Sequence, residues 1–423
     1  MITLPKKSTQ KLLKLNQHKI RLGLERVNKA LKKLKINNRN YSSKILTING
    51  TSAKNSILQI FKRIIIKQKK TFATTTSPHL VSIVERFELN GKFININLLK
   101  KILNKLSIFK NLTQFERLIV AFGLFLKNKN PQWILAEYGL FGRKDAIRSL
   151  YPSPDLHIVS PISWDHLEWT KTKKRNSKTL KEIVYEKTSF IRSRVYIAKQ
   201  TPKVLKMIKS NLKNNNSEKI YYGADFKLIK KRDSFFYKDK KIKFKIKSNL
   251  IGQHNYENAV VAIKVALDQK IPLKYIKSAL KNIEIKGRIQ LIKKGKLRKN
   301  LKSKDLLILD GAHNEQQSSQ LVRALKKFKE KDKYLVVSMI NSKDPYSFLK
   351  PIKNKFKKVF FVDMEREKNV IPKEKLDYIA KKLKINSGTS ESFEKVKIDL
   401  KNISKCLVVA GSLYFLGSLL KKN

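Results

Sequence analysis

The chain has 423 residues, enough for two domains with separate cores, and 41% of them are hydrophobic. A single cysteine, Cys406, excludes an internal disulfide framework and points to a reducing compartment, while a net charge of +63 would attract any polyanion. The charge is mostly lysine, spread along the chain with much Asn and Ile. Drift toward A/T-rich codons accounts for that pattern as well as nucleic-acid binding does, which leans on arginine and interleaved aromatics.

At the N-terminus, MITLPKKSTQKLLKL carries charge without an apolar core behind it, so no secretory signal is expected. Residues 1–40 read as a basic segment containing a helix, with Ile20, Leu22, Leu24, Val27, Leu31 and Leu34 on an approximate stripe. The strand KILTIN then runs into Gly50, followed by Lys54, Ser56 and a helix with Ile57, Ile60, Phe61 and Ile64 at apolar spacing. Strand, glycine turn, lysine, hydroxyl and helix is the layout that holds nucleotide phosphates. Yet the spacing from Gly50 to Lys54 is short, and Ala53 and Asn55 stand where glycines are expected. Alone, the stretch reads as an ATP site, a worn ATP site, or a turn that resembles one.

Further strands are expected at TFATTT, QWILAEYG, HIVSPIS and RVYIAK, with helices over 52–68, 114–127 and 178–191. This alternation argues for a mostly parallel sheet covered by helices. Glu137, a carboxylate ending the apolar strand WILA, points to the site edge of such a sheet. The apolar run 118–126 is far shorter than the ~20 residues needed to cross a bilayer, so a soluble, cytoplasmic protein is expected. FFYKDKKIKFKIK reads as a hairpin, NYENAVVAIKVALDQ as a helix, and the tract 214–216 as a surface loop. A Lys- and Gly-rich boundary over 283–301 precedes a second α/β rhythm. Its strands are DLLILDG, KYLVVSMI, KVFFVDM and KCLVVAGS, with helices over 316–328, 346–356 and 373–383, as in a nucleotide-binding fold.

Several stretches taken in order resemble one family. They are GTSAKNS at 50–56, TTTSPHLVSIVERFELNGKFI at 74–94, LTQFE at 112–116 and AEYGLFGRKDA at 136–146. After these come SWDH, YEKTSFI, GQHNYENA, GRIQLI, DGAHN and GSLYFLG. Together they resemble the folylpolyglutamate synthase and dihydrofolate synthase family, part of the Mur ligase superfamily. HKIRLGLERVNKAL is similar to that family's opening helix, and GTSAKNS to its short-spaced phosphate loop, GTNGKGS.

The resemblance implies a Mur-ligase-like α/β fold. An N-terminal domain over 1–286, with a mostly parallel sheet, would bind ATP and pterin. A smaller Rossmann-like domain over 287–423 would serve glutamate ligation. The implied activity uses ATP and Mg2+ to add L-glutamate to 7,8-dihydropteroate, and to tetrahydrofolates, through an acyl phosphate. Implied partners are small molecules, with no specific nucleic acid, no membrane and a monomeric state. Gly50, Thr51, Lys54 and Ser56 would hold phosphates, Asn258 adenine, Arg288 and His313 the phosphate side, and Asp310 the ribose. Ser77, Glu137 and His166 would be metal ligands. Lys187, in YEKTS where the family has KAG, would be a carbamylated lysine supporting a second metal, which requires a site that lowers its pKa. Thr113, Phe115, Glu116 and Asp145 would lie toward the pterin substrate. The family pattern is also broken at Phe141, which replaces a glycine, and at Ile147 and Arg148, which replace a polar pair. The alternatives are another Mur-type ligase, or a non-catalytic basic homologue binding nucleic acid or a protein; LTQFE and ERFELNGKFI favour the folate branch.

Overall fold

The computed structural model describes residues 21–36, 42–328, 331–364 and 369–423. Ile20 and the start of HKIRLGLERVNKAL lie outside the described residues; the rest of that motif enters a helix over Glu25–Lys33 that buries Val27, Ala30 and Leu31. The chain forms two compact units. The first runs to Ser248 and resumes over Glu257–Ile283; the second combines Asn249–Tyr256 with Glu284–Asn423.

The first unit is built on a sheet of strands β1 (Lys44–Asn49), β2 (Phe72–Thr75), β3 (Phe87–Leu89), β4 (Lys92–Phe93), β5 (Trp133–Glu137), β6 (Leu156–Val159), β7 (Arg194–Ile197) and β8 (Lys219–Tyr221). Their order is β4-β3-β2-β5-β1-β6-β7-β8. From β2 to β8 every neighbouring pair is parallel. Strands β3 and β4 fold back antiparallel around Asn90 and Gly91, both at positive φ, which is the conformation an Asn-Gly hairpin turn demands. This hairpin lies in ERFELNGKFI and was not among the expected strands.

Strand β1 runs between β5 and β6, with Ile48 opposite Glu137 and Asn49 opposite Val159. The carboxyl ends of three adjacent parallel strands therefore meet at one edge, where open α/β sheets bind ligands. The helix Lys54–Lys67 packs Ile57, Leu58, Ile60, Phe61, Ile64 and Ile65 inward, and Phe61 meets Trp133 edge-on at 5.1 Å. Each such side chain contributes about 2 kcal/mol by leaving water, which anchors the helix start that follows Gly50.

The expected hairpin forms from β10 (Ser234–Asp239) and β11 (Lys243–Lys245), with β9 (Phe226–Lys231) completing an antiparallel sheet. The second unit carries β12 (Gln290–Leu291), β13 (Leu306–Leu309), β14 (Asp332–Val337), β15 (Lys358–Phe361), β16 (Ser387–Thr389) and β17 (Lys405–Ala410). Their order is β12-β13-β17-β14-β15-β16, parallel except at β12. Strand β17 is buried at every residue, as a strand covered on both faces must be. The helix expected over 346–356 is shorter: Pro345–Leu349 passes into a 3-10 turn containing Pro351, whose ring and missing N–H disfavour continuation. No helix among the described residues is long and apolar enough to cross a membrane.

Candidate functional site

Gly50 leaves β1 with φ of 137°, and a Cβ there would stand 2.0 Å from Ser160 Oγ and 2.7 Å from the Ser160 carbonyl oxygen. Only glycine fits. The Thr51 and Ser52 N–H groups both donate to the Pro161 carbonyl, at 3.0 and 3.1 Å. Thr51 Oγ1 donates to the Ser163 carbonyl at 3.1 Å and lies 3.2 Å from the Ser163 N–H. The loop is thus lashed to the segment after β6. The helix Lys54–Lys67 then starts with no side-chain cap, whereas Gln114–Leu126, Ser177–Thr188 and Glu315–Leu325 are capped by Thr113, Asn176 and Asn314. Uncapped first-turn N–H groups at the positive end of a helix dipole suit a phosphate. Ser56 is buried in that turn.

The two glycine replacements differ. Ala53 has φ of 67° and ψ of 0°, a left-handed conformation that a Cβ disfavours, whereas Asn55 is an ordinary residue of the helix. Phe141, the third replaced glycine, also keeps a positive φ, 54°.

Two lysines converge on the Gly50 carbonyl: Lys54 Nζ donates to it at 3.2 Å and Lys187 Nζ at 2.9 Å. Lys187 lies in the last turn of Ser177–Thr188 and is 2% exposed. Burial, and then the neighbouring Lys54 charge, pull its pKa down to about 7 against the opposing pull of Asp165 and Asp145. The Phe141 ring centroid is 5.6 Å from Lys187 Nζ and 6.5 Å from the His166 ring. His166, itself at φ of 55°, stands 3.6 Å from Asp165 and 3.5 Å from Glu168.

Glu137 closes β5, 4% exposed, and its Oε2 accepts the Ser77 N–H at 3.3 Å. A carboxylate and a hydroxyl-bearing residue are therefore adjacent at the sheet edge. Among the described residues no group of three or more His, Cys, Asp and Glu side chains is arranged around a common point. These donors fit Mg2+, which takes hard oxygens and commonly keeps water and substrate phosphates as its other ligands.

In the second unit, Asp310 follows β13 and accepts the N–H groups of Ile289 at 2.8 Å and Ala312 at 2.9 Å. Burial raises its pKa, and Arg288 pulls against that shift. His313 Nδ1 lies 2.8 Å from the Gly311 carbonyl, which can only accept, so Nδ1 carries a proton. Asn258, in the first unit, is 6% exposed.

The Mur ligase middle domain family matches residues 48–266, more than half of the chain, and the dihydrofolate synthetase C-terminal domain family matches 293–422. The chain belongs to the folylpolyglutamate synthase and dihydrofolate synthase family. It is thereby one of the ATP-dependent ligases that form carbon–nitrogen bonds. The Bacillus subtilis dihydrofolate synthase/folylpolyglutamate synthase is 23% identical over 89% of both chains. The crystal structure of the Thermotoga maritima folylpolyglutamate synthase superposes with a TM-score of 0.77 and 25% identity, covering 97% of this chain and 94% of that one. E. coli FolC in complex with DHPP and ADP superposes at 0.83 with 20% identity, over 98% and 96%.

Against the family pattern, the residues expected toward the pterin substrate have structural duties. Thr113 and Glu116 form a capping box at the start of Gln114–Leu126, and Glu116 also holds Arg26 through bonds of 2.6 and 3.2 Å. Asp145 caps Ala146–Leu150 through Ile147 and accepts the Gly139 and Leu140 N–H groups at 3.1 and 2.8 Å. Its burial raises the pKa to about 6, and those same N–H groups and Lys54 hold it from rising further. Phe115 lies against Gly139, in the loop that Asp145 pins. Arg26 and Asn49 were not among the expected site residues; their contacts cross long stretches of chain and leave no local signal.

Proposed function

We propose that this chain joins L-glutamate to 7,8-dihydropteroate with ATP, and extends tetrahydrofolates by the same reaction. The observation that carries the reading is the pair of lysines on the Gly50 carbonyl beside an uncapped helix start. Lys54 and the first-turn N–H groups would neutralise the β- and γ-phosphates, and Ser56 would stand at the dipole's positive end. The substrate carboxylate attacks the γ-phosphorus, the bond to the β-phosphate oxygen breaks, and ADP leaves. The amine of glutamate then attacks the acyl carbon of the acyl phosphate, losing a proton as inorganic phosphate departs.

Ser77, Glu137 and His166 would hold Mg2+, which supplies charge neutralisation on the phosphates. Lys187, buried and with its pKa drawn toward neutrality, is suited to forming a carbamate with CO2, releasing one proton. In the second unit Arg288 and His313 would meet phosphate and Asp310 the ribose, while the Asn258 amide has donor and acceptor to offer adenine. Thr113, Glu116 and Asp145 would act on the pterin by shaping the loop and helix that present Phe115. Residues 1–286 would then serve nucleotide and pterin, and 287–423 glutamate ligation, in a cytoplasmic monomer acting on small molecules.

The test is Lys54→Ala. Loss of ATP-dependent glutamate incorporation with an unchanged unfolding profile is expected; retained turnover would overturn the loop assignment.

A further inference from the structure

Asn49 ends β1 and is 1% exposed. Both faces of its side-chain amide are in use. Oδ1 accepts the Gly50 N–H at 2.7 Å, and Nδ2 donates to the main-chain carbonyl of Lys187 at 2.9 Å. The Asn49 carbonyl accepts the Ser160 N–H at 2.7 Å. A Cβ at Gly142 would stand 2.3 Å from Nδ2, so the amide is seated directly against the loop that carries Phe141.

These bonds close a ring through the site. Lys187 is held at both ends: its carbonyl by Asn49, and its Nζ by the Gly50 carbonyl at 2.9 Å. Gly50 is likewise held on both sides, its N–H by Asn49 and its carbonyl by Lys54 and Lys187. An amide is suited to this position because it donates and accepts from one planar group. Aspartate at position 49 could still accept from Gly50 but could not donate to Lys187 while ionised. Alanine could do neither.

We propose that Asn49 is a positioning residue that fixes Lys187 and the phosphate loop at their working separation. It touches no reacting group; it sets where Lys187 and Lys54 stand when phosphate is transferred. This inference rests on the reading of the loop as the phosphate site and of Lys187 as part of the catalytic apparatus.

The experiment compares Asn49→Ala and Asn49→Asp with the parent protein, each also in a Lys187→Met background. It reads kcat, KM for ATP and thermal unfolding of the full chain. Misplacement by about 1 Å can cost about 100-fold in rate, so kcat should fall by about 10- to 100-fold with KM for ATP changing much less. Asn49→Asp spares the Gly50 contact and loosens only the Lys187 arm, so adding it to Lys187→Met should cause little further loss. Asn49→Asp keeps the Gly50 contact and so separates the Lys187 arm if the alanine variant folds poorly.

An Asn49→Asp enzyme with parental kcat would overturn the proposal. So would equal losses from Asn49→Asp with and without the Lys187 side chain, since that is the mark of a merely structural role. Full turnover in both Lys54→Ala and Lys187→Met would instead defeat the underlying site reading, and the inference would fall with it.

Discussion

Ala53→Gly and Asn55→Gly each restore a glycine of the family's loop, yet the structure gives them opposite effects on stability. Ala53 is held at φ of 67°, where a Cβ costs about 1–2 kcal/mol. Glycine removes that strain but gains about 0.4–1 kcal/mol of unfolded-chain freedom, leaving a net stabilisation of about 0.5–1 kcal/mol. Asn55 already has helical geometry, so glycine there relieves nothing and loses about 0.3–0.5 kcal/mol of helix propensity. Urea unfolding followed by tryptophan fluorescence measures this in the right unit, because Trp133, Trp164 and Trp169 are the only tryptophans and all lie in the first one. The midpoint should rise for Ala53→Gly and fall slightly for Asn55→Gly. Equal stabilisation by both, or no gain from Ala53→Gly, would refute the assignment of strain to position 53.

Phe141→Gly should relieve a similar strain but forfeit a fully buried ring; a loss of about 3–5 kcal/mol against about 1–2 regained leaves net destabilisation, measured by the same unfolding curve. With the Lys187 pKa near 7, lowering the pH through that value protonates the amine and withdraws the CO2 acceptor. Activity at pH 6 should therefore fall and be partly restored by added bicarbonate, whereas a bicarbonate-independent acid limb would contradict the carbamate. Chelation of divalent cations should stop turnover and excess Mg2+ should restore it. Glu137→Gln should raise the Mg2+ concentration required, as read from a Mg2+ titration of the rate.

The first unit's central strands were legible because KILTIN, WILAE and RVYI are apolar runs ending in polar turns, the pattern of a buried parallel strand. The loop's short spacing and Lys54 were legible too. Its strain was legible only in part: the replaced glycines at 53 and 55 look alike in sequence, and only the backbone shows that one is left-handed and the other helical. The Asn-Gly pair at 90–91 carried a hairpin signal that the α/β rhythm obscured. Thr113 and Glu116 have the spacing of a capping box, and that local duty stands beside the substrate role implied by the family. Strand β16, Ser-Gly-Thr, has no apolar signature because it is a short edge strand. Contacts such as Arg26 to Glu116, 90 residues apart, and Asn49 to Lys187, 138 apart, are created by the fold and cannot be read from spacing.

The central claim is tested most directly by phosphate release from the purified protein with ATP and Mg2+. Glutamate is supplied alone, then with 7,8-dihydropteroate, then with tetrahydrofolate. Release that requires both glutamate and dihydropteroate, and that also occurs with glutamate and tetrahydrofolate, is the expected result. A folded protein that releases no phosphate with either acceptor would contradict the account.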